Sequence, residues 1–176
     1  MTMEHKSEKN FWRYWPAGLL LLALMIILNI GISNDVSPLG IRDHQSAGTA
    51  ARVDAIQAAW AASGRMWLAQ LGVIMDLIYI GVYSFGAYHG GRFLTQNAPA
   101  VLGKLGWLIA VAALILAVAD YTETICQTIQ IMQNQGNDTL ASIAAAAQPI
   151  KSLAFLTTFL GLLAGLIIRR MSKRPA

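Results

Sequence analysis

Apolar residues gather along this chain into four long runs divided by polar segments. The runs cover about 16–32, 66–88, 105–126 and 149–168. Each is long enough, at about 1.5 Å per helical residue, to cross a hydrocarbon layer of about 30 Å with modest tilt. The pattern predicts an all-α integral membrane four-helix bundle, up-down-up-down, as a single transmembrane domain over residues 1–176.

The polar segments carry their own signals. The outer loop, 34–65, opens with the turn-rich NDVSPLG. Within it Val53, Ile56 and Trp60 fall at i, i+3 and i+7, with Arg52, Asp54 and Gln57 between them. That spacing predicts a short amphipathic surface helix. Its three apolar residues should be buried, and Asp54 and Gln57 should stay wet. An HGGR turn is expected to end the second run. The third fades into QTIQIMQNQGND, a helix that projects until Gly136 and Asn137 stop it. Pro149 reads as a helix-start proline for the fourth, which closes on RRMSKR.

The first run resembles a secretory signal peptide in its basic flank, apolar stretch and small residues near Gly31 and Ser33. Glu4 and Glu8 dilute that flank, however, and Phe11, Trp12, Tyr14 and Trp15 have the look of an interfacial aromatic belt. An uncleaved helix is the reading adopted.

Composition sharpens the picture. Of 176 residues 56% are hydrophobic and 12% charged, against about 25% charged in soluble domains. The net charge of +4 does not point to nucleic acid, because the charges flank the apolar runs. Nine of the 13 Lys and Arg residues fall on one side: Lys6, Lys9 and Arg13, Arg92 and Lys104, and Arg169, Arg170, Lys173 and Arg174. Arg42, Arg52, Arg65 and Lys151 fall on the other. By the positive-inside rule both termini are cytoplasmic, in a bacterial cytoplasmic (inner) membrane; the acids near the N-terminus do not resemble a transit peptide. The lone Cys126 excludes an intramolecular disulfide or CxxC pair. His5, His44 and His89 lie outside the apolar runs, which argues against haem. No cofactor and no metal are expected. Asp43 and His44 in GIRDHQ could form an acid–base pair, but a solvated loop is the simpler expectation.

The chemistry worth weighing lies inside the runs. Asp76, Asp120 and Glu123 are costly there, at about 2.5–3.5 kcal/mol for a charged carboxylate near the bilayer centre. Gly72, Asp76, Tyr79, Tyr83 and Gly86 share one face of the second helix; Asp120, Glu123, Gln127 and Gln130 share one face of the third. Two polar stripes in lipid should face each other. Asp76 lies about ten residues, roughly 15 Å, below the outer end of its helix. Asn29, Gln70, Lys151 and Ser152 join the acids toward the outer side. The tyrosines read equally as packed residues with bonded hydroxyls, and Lys151 as a snorkelling anchor or as counter-charge to Asp120 or Glu123. Gly161 and Gly165 form a GxxxG that permits close helix approach.

DLIYIGVY on the second helix with ADYTETI on the third resembles a pattern in small four-helix bacterial integral membrane proteins of uncharacterised role. That pattern pairs Asp and Tyr on helix two with Asp-x-x-Glu on helix three. The matching positions are Asp76, Tyr79 or Tyr83, Asp120 and Glu123; Thr124 stands where asparagine is more typical. The resemblance implies no activity.

Three roles remain open. The first is an accessory or scaffold protein, with the bilayer and a membrane-protein partner or second copy as its neighbours. The second is an outward-facing acidic pocket for a cation, a proton or a small polar ligand. The third is an enzyme acting on a lipid or quinone head group, with Asp120 or Glu123 as general base. No recognisable catalytic set is present, which ranks the enzyme last.

The topology is directly testable. Reporter fusions should place residues 1–12, 90–103 and 171–176 inside, and 34–65 and 134–147 outside. A mature N-terminus near Ser33 would reduce the helix count to three.

Overall fold

The computed structural model describes residues 3–96 and 99–172, and among them every regular element is helical. The order is α1 (Met3–Ile32), α2 (Ile41–Gln45), α3 (Ala50–Ala62), α4 (Met66–Leu94), α5 (Ala100–Gln133) and α6 (Asp138–Ser172). Among the described residues, α1, α4, α5 and α6 are long and apolar enough to cross a membrane. Their outward faces carry large apolar side chains such as Leu20, Ile27, Val118, Leu153 and Ile167, each at least 60% exposed. Water does not suit such faces; lipid does. This is the build of a multi-pass membrane protein.

The helices outrun the apolar windows, and the reasons are local. HGGR does not end α4, which stays helical to Leu94. Its glycines serve close approach instead of a turn. A Cβ on Gly90 would lie 2.5 Å from a Leu162 methyl, and one on Gly91 would lie 2.5 Å from the Gly106 carbonyl oxygen. Pro149, expected at a helix start, lies inside α6. The true start is Asn137, whose Oδ1 accepts the Leu140 N–H at 3.0 Å, an N-cap. After α5, Asn134 takes the left-handed conformation at φ 51° that commonly follows a helix end.

Residue contacts group the chain into two compact units. The first comprises residues 1–19, 81–117 and 151–176. Small residues bring its helices together: a Cβ on Gly86 would lie 2.5 Å from the Trp15 nitrogen, and one on Gly161 would lie 2.9 Å from Ile109. Gly165 is in the same way pressed against Leu94. The GxxxG is thus occupied within the chain. The aromatic group divides between two faces: Phe11 and Trp15 are buried and stacked at 5.4 Å, while Trp12 is exposed. Phe11 also stacks on Phe93. The Arg169 guanidinium lies 3.9 Å over the Phe93 ring and donates to the Phe93 carbonyl at 2.9 Å, satisfying one of the orphan acceptors at the end of α4.

The second unit comprises residues 20–80 and 118–150. Its core is a cluster of Ile32, Ile56, Trp60, Ala69, Val73 and Ile131. Val53, Ile56 and Trp60 are fully buried, as the amphipathic spacing of α3 requires. Gln57, expected to be wet, is buried as well, at 3% exposure; Asp54 is exposed.

The glycines divide into crowded and open positions, and that difference is measurable. Gly86→Ala should cost about 1–3 kcal/mol through overpacking against Trp15. Gly72→Ala, with nothing within 4 Å of the added carbon, should be neutral or stabilise by up to about 1 kcal/mol. Thermal unfolding in lipid nanodiscs reads both; equal effects would remove the packing argument.

Candidate functional site

Around Asp76, helices α4 and α5 are joined by hydrogen bonds from Thr124 and Tyr121. Asp76 is half-buried, and its Oδ2 accepts the Thr124 hydroxyl at 3.0 Å. One residue on, the Leu77 carbonyl accepts the Tyr121 hydroxyl at 3.1 Å. Asp120 lies one turn before Thr124 on the same face of α5 and is buried, as are Glu123, Gln127 and Gln130. The α5 stripe therefore points into the second unit. Gln130 closes its far end: its Nε2 donates to the Cys126 carbonyl at 3.1 Å, and its Oε1 accepts the Asn137 N–H at 3.0 Å.

Asp76 and Asn29 also line one cleft of about 20 Å³, room for about one water. Its other walls include Ile32, Leu68, Gly72 and Val73. Asn29 is occupied by the loop that follows α1. Its Oδ1 accepts the Ile41 N–H at 2.8 Å, and its Nδ2 donates to the Leu39 carbonyl at 3.2 Å. Gly40, at φ +62°, turns the chain tightly enough that Asn29 leaves no room for a Cβ there. Asn29 therefore acts as a loop clasp.

The remaining candidates are placed as follows. Tyr79 is buried on α4, and Gln70 is half-buried. Tyr83 and Lys151 belong to the first unit. There the Tyr83 hydroxyl lies 3.4 Å from that of the buried Thr158, and its ring packs on Phe155 at 5.3 Å. Lys151 is half-buried. Among the described residues no group of three His, Cys, Asp or Glu side chains could hold a metal ion.

Two residues carry more than the sequence suggested. Thr124, a departure from the resembled pattern, donates a hydrogen bond to Asp76. His44, expected in a solvated loop, is 1% exposed and stacks on Trp60 at 5.6 Å. Its Nε2 lies 3.2 Å from the Gln57 amide nitrogen. Asp43 makes no pair with it; that carboxylate accepts the Leu39 N–H at 2.7 Å. The available signal for His44 was the buried face of α3, which needs a covering partner. Trp60 in turn donates its indole N–H to the Ile32 carbonyl at 2.9 Å and to the Ser37 hydroxyl at 3.0 Å.

Burial pushes the His44 pKa down from 6.5 to about 4. The unfolded chain would take up a proton near pH 6.5, whereas the folded chain resists until about 4. Stability from His44 is therefore complete above pH 6.5 and is lost as pH falls toward 4, by roughly 3 kcal/mol in all. Unfolding midpoints in nanodiscs between pH 7 and 4 should fall for the wild type and fall less for His44→Phe. Parallel curves would show that His44 is not the titrating group.

Comparison with protein-family models, with curated proteins and with solved structures finds no match to this chain.

Proposed function

We propose that this chain is an accessory or scaffold protein of the bacterial cytoplasmic membrane. In this reading its four long helices form an up-down-up-down bundle with both termini in the cytoplasm. The bias of basic residues supports the orientation. Arg13, Arg92, Lys104, Arg169 and Arg170 all lie on the side assigned to the cytoplasm.

The observation behind the scaffold role is the Asp76–Thr124 hydrogen bond. It engages the single acid of α4 as a link between helices, a use of polar residues common in membrane bundles and worth about 0.6–2 kcal/mol. Tyr121 reinforces it from the same face of α5. A second reading, an acidic site for a cation, a proton or a small polar ligand, draws on the cleft that Asp76 shares with Asn29.

Asp76 separates the two. Asp76→Asn keeps an acceptor for Thr124, so a scaffold should retain its unfolding midpoint and its native-membrane assembly. Asp76→Leu should lose about 1–2 kcal/mol. Titration with sodium, potassium or calcium chloride should leave the wild-type midpoint unchanged beyond ionic-strength controls. A cation-dependent rise that Asp76→Asn abolishes would overturn the scaffold reading in favour of the binding site.

A further inference from the structure

The second unit buries hydrogen-bonding atoms that have no partner within the protein. Among them are Nδ1 of His44, Oε1 of Gln57 and both amide atoms of Gln127. These three residues are 1%, 3% and 0% exposed. Leaving such an atom unsatisfied forfeits its hydration without a compensating bond, so groups of them call for an explanation.

Their arrangement is specific. Gln57 presents its amide N–H to Nε2 of His44, which makes His44 the neutral tautomer with its proton on Nδ1. That leaves one donor, Nδ1–H, and one acceptor, Oε1. Gln127 lies one turn before Ile131, and Ile131 packs with Ile56 and Trp60 in a single cluster. Gln127 is therefore on the α5 face that α3 covers, and it adds a further donor and acceptor.

The covering helix is bounded by two left-handed glycines, Gly48 at φ +71° and Gly64 at φ +67°. A Cβ on Gly64 would meet nothing within 4 Å, and one on Gly48 would meet only the Ser46 carbonyl at 4.0 Å. Backbone conformation, then, and not packing calls for glycine at both ends of α3.

We propose that α3 is a lid over a binding site for a small uncharged ligand bearing a hydroxyl or a carboxamide, held by His44, Gln57 and Gln127. Such a group both donates and accepts, which matches the atoms on offer. Of the charged side chains nearest His44 and Gln57 in sequence, Arg42 is exposed and three are engaged elsewhere. Arg52 donates to the Val36 carbonyl, Asp54 accepts the Gly136 N–H and Asp43 accepts the Leu39 N–H. An ion would be buried without their help. Glu123 lies one further turn along α5, so a cation is the competing ligand.

The test uses the full chain in lipid nanodiscs with ¹⁵N-labelled histidine, the His44 signals being assigned through His44→Phe. Hexan-1-ol, hexylammonium and hexanoate serve as neutral, cationic and anionic probes. Hexan-1-ol should shift the His44 Nδ1 resonance saturably and the two ions should not. Gln57→Leu should weaken the response about tenfold. Gln127→Leu provides the same test where Gln57→Leu unsettles α3, and the Trp60 indole N–H reports the fold in each variant. A response to hexylammonium alone would overturn the proposal in favour of a cation site. Equal responses to all three probes, or none to any, would overturn it outright. The Asp76 variants do not enter this readout, so the scaffold reading and this site fail separately.

Discussion

A helix that ends leaves carbonyls with no partner, and in this chain the end of α1 is satisfied by a residue 28 positions away. The Trp60 indole N–H reaches the Ile32 carbonyl and the Ser37 hydroxyl together. Much of the second unit is organised around that reach. Trp60 must be fully buried to make it, so α3 lies with its apolar face inward, and His44 stacks on the indole. The intervening loop is held in register by Asn34, whose Oδ1 accepts both the Val36 and Ser37 N–H groups.

The four long helices were legible because length and hydropathy are properties of a whole window, which local detail does not disturb. Their ends were less so. Glycine signals both a turn and a close approach, and sequence alone does not separate the two. In HGGR the second meaning holds, since Gly90 and Gly91 lie against Leu162 and Gly106. Pro149 misled for a related reason: a proline at the start of an apolar window need not be at the start of the helix that contains it.

The candidate site was legible by face and not by partner. Periodicity put Asp120, Glu123, Gln127 and Gln130 on one stripe, and all four are buried. That Thr124 would be the group bonded to Asp76 depended on the rotation of α5 against α4, which no local spacing encodes. His44 and Gln57 were misjudged because a polar residue in a polar loop looks solvated until its cover is known. Here the cover is the loop's own helix.

Asp138 lies in the first turn of α6, and its Oδ1 accepts the N–H of Ala50, the first residue of α3, at 2.7 Å. A single carboxylate therefore compensates the positive ends of two helix dipoles, each interaction being worth about 0.3–1 kcal/mol. Neither helix start is electrostatically independent of the other. Anything that neutralises this one charge weakens both together, coupling the lid helix to a helix long enough to cross the membrane without any contact between their apolar faces being required.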